Sequence, residues 1–367
     1  MKNLIFLMEY DMLTGGMIQS VVSLIKGLSL LDYNISLVCM PESAISEIPF
    51  NNNVNVITTK RKKWYTQKNT PLKTFLTSFE IYLLIRKQLK DSVVISNDLG
   101  ASFLISCFPT RAKEIFVCRG GRFTGVAGKL IKYKIKHSIY WTIATSTFQM
   151  NFIKQNCGAI DNVRVIHNGL KLPETDIPLP ILTPDDLKIS VVGYIAPDKN
   201  QAEGVKMIKK LRDRGINAYL NVFGTIECEV DELYDKELQL LIDKLDVRDY
   251  VYFHGFASQD DIYSKTDILI SFSYAEGFGR TLVEAMFRNR PVIAYRGAGG
   301  PVDITDNGRV GHLVEANNAE EYANVIIKIL EDPKKEYENI RKAKDYSLSH
   351  FTEDIMTERY DEFLKSI

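Results

Sequence analysis

The chain has 367 residues, too many for one compact core, so length alone predicts two domains of about 180 residues each. Hydrophobic residues make up 45% and charged residues 25%, the composition of a globular protein, which excludes a disordered chain, a collagen and a coiled coil. The net charge of zero hides a division: residues 1–175 carry 22 Lys+Arg against 11 Asp+Glu, a balance of +11, and the remainder is therefore at −11. Such asymmetry points to an anionic partner or surface for the basic half.

In chain order, the first half alternates short apolar runs with helical patterns. Residues 4–8 predict a strand, because an acid at Glu9 ends the apolar run too early for the core of a secretory signal. A helix follows over 20–31, then strands over 35–39, 54–58, 93–96, 114–118, 142–145 and 163–167. Continuous β-branched runs separated by helices indicate a parallel sheet covered on both faces. The stretch 172–186 holds Pro173, Pro178, Pro180 and Pro184 without periodicity and predicts a linker.

The alternation then restarts, with strands over 187–192, 218–223, 251–254, 268–272 and 292–295. Helices are expected over 201–214, 233–245, 280–289 and 319–330, with a charged helical tail after 335. The fold class is therefore α/β, with two Rossmann-like domains facing a cleft. The expected boundaries are 1–172 for the first domain, 173–186 for the linker and 187–349 for the second, with a helix over about 350–367 packing back on the first. The five cysteines are odd in number and scattered, so a disulfide framework and a zinc site are both disfavoured.

The chemistry concentrates in residues 276–286, Glu-Gly-Phe-Gly-Arg-Thr-Leu-Val-Glu-Ala-Met, directly after a strand. A glycine-containing loop opening a helix makes an anion site, since outward N–H groups and the macrodipole favour phosphate. Gly277 and Gly279 let the backbone approach a ligand closely. Glu276 and Glu284 flank the loop and suit hydroxyl-rich ligands, because carboxylates accept charge-assisted hydrogen bonds. Phosphate between two sugars describes a nucleotide-sugar.

With these residues in place, the sequence resembles the family 4 glycosyltransferases, retaining enzymes of the GT-B fold marked by two glutamates with seven residues between them. Asn168-Gly169, Gly193 with Lys199, Gly255-Phe256, Pro291-Val292 and Gly299-Gly300 fall in the order that family has them, across the whole chain. The resemblance implies that Glu276 binds donor-sugar hydroxyls, Glu284 the ribose, and the amides of Phe278, Gly279, Arg280, Thr281 and Leu282 the diphosphate. It assigns Lys199 to the leaving diphosphate, the backbone at Gly255 and Phe256 to the base, and Gly15 and Gly16 to a close approach by the first domain. Two positions depart from the family. Tyr194 stands where an arginine usually helps hold the phosphate, so Arg280 becomes its expected substitute. Where the family often has a histidine, this chain has Cys118-Arg119-Gly120-Gly121-Arg122, which makes Arg119 and Arg122 candidate contacts to donor or acceptor.

The chain contains no Asp-x-Asp, so metal-independent transfer with no cofactor is expected. It also lacks a Gly-x-Gly-x-x-Gly after the first strand and a P-loop, which disfavours NAD and kinase chemistry. Two basic, aromatic stretches lie in the first half. One is Lys60-Arg61-Lys62-Lys63-Trp64-Tyr65, the other 129–141 with Lys129, Lys132, Lys134, Lys136, Tyr133, Tyr140 and Trp141. They suit an anionic membrane surface better than nucleic acid. The resulting expectation is a hexosyl- or N-acetylhexosaminyltransferase using a UDP-sugar. It would act in the cytoplasm or at the inner face of the cell membrane, on a glycan or lipid-linked oligosaccharide of a surface polysaccharide, lipopolysaccharide or capsule. A GT-B epimerase or hydrolase, and a non-catalytic sugar-nucleotide-binding protein, are the alternatives.

Overall fold

In the computed structural model, residues 2–8, 16–41, 48–60, 71–97, 99–108, 110, 112–119, 123, 125–137, 139–158 and 161–367 are described. The chain divides into two compact units, Met1–Lys171 with Glu353–Ile367, and Leu172–Thr352.

The first unit is built on β1 (Lys2–Leu7), β2 (Tyr33–Cys39), β3 (Val54–Thr58), β4 (Ser92–Ser96), β5 (Lys113–Cys118), β6 (Trp141–Ala144) and β7 (Val163–Val165). Its helices are α1 (Gly16–Ser29), α2 (Pro71–Ile85), α3 (Leu99–Ile105), α4 (Gly125–Lys136) and α5 (Thr147–Cys157). All seven strands run parallel, in the order β3-β2-β1-β4-β5-β6-β7. β1 sits inside the sheet, and the two-residue strand period shares its side chains between two cores. Leu4 and Phe6 pack with the α1 residues Val21, Leu24 and Ile25, whereas Ile5 and Leu7 pack with Ile81 and Ile85 of α2. That is why an unbroken apolar run was needed.

The helix α2 escaped the reading from sequence for a physical reason. Its inward side carries the polar Thr77 and Ser78 beside Ile81 and Ile85, so no clean apolar stripe marks a core-facing side. β7 also stops at Val165, short of the expected His167.

The second unit contains β8 (Leu187–Val192), α6 (Gln201–Asp213), β9 (Ala218–Phe223), α7 (Glu229–Lys244), β10 (Val251–Gly255), α8 (Gln259–Ser264) and β11 (Ile268–Ser271). It continues through α9 (Arg280–Phe287), β12 (Val292–Tyr295), α10 (Gly300–Ile304), β13 (His312–Val314), α11 (Ala319–Glu331) and α12 (Pro333–His350). The six strands are parallel in the order β10-β9-β8-β11-β12-β13. α7 begins earlier than its apolar pattern suggests, because Glu229, Asp231 and Glu232 fill its first turn, where the dipole favours acids.

The proline-rich stretch 172–186 lies along this unit. Arg290 donates to the Pro178 carbonyl at 2.7 Å, Asn289 to that of Ile177 at 2.6 Å, and Leu182 joins the core. Pro184 takes the Asn217 amide at 2.7 Å, so prolines unable to donate still serve as acceptors.

The final helix α13 (Glu353–Ser366) belongs to the first unit. Met356, Tyr360, Phe363 and Leu364 form one apolar stripe that enters the core beside α1. The Tyr33 hydroxyl donates to Asp361 at 2.7 Å, and Trp141 meets Phe363 edge to face at 5.5 Å. Two parallel-sheet units of this type make the GT-B fold. Among the described residues, no helix is long and apolar enough to cross a membrane.

Candidate functional site

The candidate donor site gathers at the C-terminal ends of β8, β9, β10 and β11, the side of an open α/β sheet where ligands bind. After β8 the chain turns at Gly193 and passes through a short helical turn, Pro197–Lys199, into α6. Gly193 and Gly224 lie against each other. A Cβ on Gly224 would sit 1.9 Å from the Gly193 carbonyl oxygen, and its φ of 148° is one that side chains resist, so only glycine fits. Gly224 donates in turn to Gly255 at 2.8 Å. Three glycines thus floor the ends of β8, β9 and β10, and Phe256 stands beside them 75% exposed.

The loop after β11 is held by backbone bonds. Tyr274 donates to the Asp198 carbonyl at 3.0 Å, Glu276 to Ala298 at 2.8 Å, and Gly300 to Glu276 at 2.9 Å. Glu276 also bridges Gly299 in parallel register, as if adding a residue to the sheet. Its carboxylate meets the Lys199 ammonium at 2.9 Å, with both side chains about three-quarters buried. Burial works against the Lys199 charge, but the charge and hydrogen bond of Glu276 outweigh it and raise its pKa.

Gly279 caps α9 with φ 105°, and its neighbours Ile304, Leu282 and Glu276 leave little room for a Cβ. The Leu282 amide already donates to the Gly279 carbonyl at 3.1 Å. That amide is therefore removed from the expected phosphate donors, because a third helical residue can close a tight first turn. Gly277 and the first-turn residue Thr281 remain half-buried at the loop. The Phe278 ring packs edge to face on Phe351 at 5.6 Å, which makes it an anchor for the loop.

Glu284 points into the unit and is 8% exposed. The Tyr263 hydroxyl reaches its Oε2 at 3.2 Å and the Thr281 carbonyl at 3.0 Å, while Arg280 stands 3.6 Å from its Oε1. Burial pushes the Glu284 pKa up, and Arg280, Tyr263 and Arg288 pull it partly back. The carboxylate thus accepts a hydrogen bond from Tyr263 and faces the Arg280 charge just beyond hydrogen-bond distance. Arg280 is drawn toward this acid, so it is not a simple replacement for the arginine missing at Tyr194. Tyr194 itself is half-buried, and its carbonyl accepts from Gln201 at 2.7 Å. Tyr263 was not anticipated, because it lies on the six-residue helix α8 with no motif around it.

In the first unit, Arg119 follows β5 and is held by two buried asparagines. It donates to Asn168 Oδ1 at 2.7 Å and to Asn97 Oδ1 at 3.2 and 3.3 Å. Gly16 is the first residue of α1. Gly15, Arg122 and the run 61–65 lie outside the described residues.

The second basic stretch requires a correction. Tyr140 is 1% exposed, with its hydroxyl 2.8 Å from both Ser102 and Ser106, and Lys134 turns inward to Glu114 at 3.0 Å and over the Tyr140 ring. Trp141 packs against Phe363. Tyr140 therefore completes the core and cannot reach lipid headgroups, and Trp141 is partly buried at the core's edge. Tyr133 does remain exposed. Among the described residues, no group of three or more His, Cys, Asp or Glu could hold a metal ion.

The two parallel sheets define a GT-B protein, whose second unit carries this loop at a helix N-terminus. Residues 180–346, most of that unit, match the family Glycosyl transferases group 1. A GDP-Man:Man(3)GlcNAc(2)-PP-Dol alpha-1,2-mannosyltransferase of Caenorhabditis elegans is 30% identical over 176 residues, 46% of this chain and 37% of that protein. A poly(ribitol-phosphate) alpha-N-acetylglucosaminyltransferase of Staphylococcus aureus is 24% identical over 296 residues, 75% of this chain and 55% of that one. The chain thus spans about half or less of the length of these curated relatives. The crystal structure of Anabaena HepE in complex with UDP and glucose matches all of this chain and all of its own, with a TM-score of 0.79 at 18% identity.

Proposed function

We propose that the protein is a retaining glycosyltransferase of family 4. It moves a hexose or N-acetylhexosamine from a UDP-sugar to a hydroxyl of a glycan or lipid-linked oligosaccharide. The observation that carries this reading is the Lys199–Glu276 pair at 2.9 Å, set in a loop fixed by backbone bonds at a helix N-terminus. An ammonium and a carboxylate held together offer one group to the diphosphate and one to the sugar hydroxyls. Binding would divide the pair between the two ends of the donor. The UDP complex of the Anabaena neighbour and the glycan-building relatives support the substrate class.

In this mechanism, the bond from the anomeric carbon to the diphosphate oxygen breaks. The acceptor oxygen bonds to that carbon on the same face, and the acceptor proton passes to the leaving diphosphate. Lys199 and the first turn of α9 neutralise the developing charge, so no metal cofactor is required. The setting is the cytoplasm, at the inner face of a membrane bearing the acceptor.

The test is release of free nucleoside diphosphate from UDP-sugars in excess EDTA, with and without acceptor glycan. Release dependent on acceptor, with retained anomeric configuration by NMR, is expected. Acceptor-independent release would make the protein a hydrolase or epimerase. Activity lost in EDTA and restored by manganese would overturn metal independence.

A further inference from the structure

The helix α2 is inside out. Its sheet-facing side buries Thr77 and Ser78 beside Ile81 and Ile85, while Phe75, Leu76, Phe79, Leu83 and Leu84 are exposed by 53, 37, 41, 42 and 38%. A surface helix ordinarily turns its polar side outward, and a contiguous apolar patch marks a binding surface. The patch is ordered by its own packing. Phe75 and Phe79 stack at 6.2 Å, and Phe108, in the turn after α3, meets Phe75, Phe79 and Tyr82 at 5.7, 5.9 and 5.1 Å. Exposed bases sit at both ends, Lys73 before the patch and Arg86, Lys87 and Lys90 after it, against the acids Glu80 and Asp91.

We propose that this face of α2 lies in the plane of an anionic bilayer, with its apolar side chains among the acyl chains and its flanking bases at the headgroups. Apolar residues on one side with Lys and Arg at the borders are what such an interface selects. The local charge supports lipid over a second copy of the chain. Around this face Lys73, Arg86, Lys87 and Lys90 outnumber Glu80 and Asp91, and a two-fold contact through α2 would set that positive excess against its own copy. The same turn that holds Phe108 carries Ser106, which accepts from Lys134 of α4 at 2.9 Å. α4, tied to this turn by that bond, also exposes Val126, Lys129, Tyr133 and Lys136. The inference deepens the proposed function and rests on it only for the purpose of docking, which is access to a lipid-linked acceptor.

The experiment is flotation of the full chain with vesicles of phosphatidylcholine containing 30% phosphatidylglycerol, and with phosphatidylcholine alone. Wild type should float with the anionic vesicles and remain partly bound at high salt, because apolar insertion is not screened. A triple variant, Phe75→Ser with Phe79→Ser and Leu83→Ser, should lose at least tenfold in partitioning. Its affinity for UDP, a property of the second unit, should not change, which shows that it is folded. A Leu83→Trp reporter should shift its emission to the blue on anionic vesicles only.

Equal flotation of triple variant and wild type would overturn the proposal. So would a wild-type dimer that the triple variant abolishes, since the face would then join two copies. Intact transfer to a water-soluble acceptor without vesicle binding would overturn this inference alone. Vesicle binding lost in the triple variant, together with no transfer to any acceptor, would sustain it while the functional reading failed.

Discussion

The two sheets share one strand order through their first six strands, yet their C-terminal ends are built differently. In the second unit, the loops after β8, β11 and β12 are tied by main-chain bonds among Asp198, Tyr274, Glu276, Ala298 and Gly300. The charged pair Lys199–Glu276 rests on that frame. In the first unit, Arg119 is held by the side chains of Asn97 and Asn168. A site whose frame is backbone tolerates few rearrangements and leaves a local sequence motif. One whose frame is three distant side chains leaves almost none and is freer to change with the acceptor.

The largest effect expected from this contrast is at Glu276. Glu276→Ala removes the carboxylate that would meet the sugar and leaves the backbone frame in place, so transfer should fall by about 10²-fold or more, with a lower melting temperature because Lys199 loses its partner, but with the fold retained. Wild-type turnover would sink the donor assignment. Lys199→Ala acts on the other end of the donor. Loss of a charge-assisted bond worth about 1.5–3 kcal/mol should weaken UDP binding by roughly ten- to a hundredfold, read by calorimetry.

Arg119→Gln should sharpen the comparison from the other side. It should lower transfer by about tenfold while UDP affinity stays at the wild-type value, because Asn97 and Asn168, which hold it, are in the first unit. A parallel loss of UDP affinity would mean that the two regions do not divide the labour as proposed.

Much of the second unit was legible because its signals are local. The segment 276–286 contains the glycine turn, the helix cap and both acids within eleven residues, and Lys199 follows Gly193 closely. The strand at 54–58 and those at 187–192, 218–223 and 292–295 fall where the apolar runs placed them. What failed to show did so for identifiable reasons. α2 reverses the usual polarity, so periodicity could not mark which side is buried. Tyr140 and Trp141 looked like interfacial aromatics, since sequence alone cannot tell a ring beside lysines on the surface from one that a lysine covers. Tyr263 touches Glu284 across 21 residues, a contact that only the fold makes.

The smallest effect is also the most specific, and it concerns that contact. Burial raises the Glu284 pKa above the ordinary carboxylate value, and the Tyr263 hydroxyl opposes the shift. The ionised form is the one that accepts hydroxyl donors, so donor binding should weaken as pH falls through this raised pKa, earlier than for an exposed glutamate. Tyr263→Phe deletes a bond worth about 1 kcal/mol, and UDP-sugar affinity at pH 8 should fall only a few-fold. The acidic limb of the binding profile, in contrast, should move to higher pH, because the hydroxyl that favours the ionised carboxylate is gone. The stability change has a definite sign. A carboxyl whose folded pKa is raised costs stability while ionised, and that cost is relieved as pH drops through the folded pKa. The melting-temperature gap between Tyr263→Phe and wild type should therefore narrow from pH 8 toward pH 5. An acidic limb that stays in place would show that the group titrating in donor binding is not Glu284.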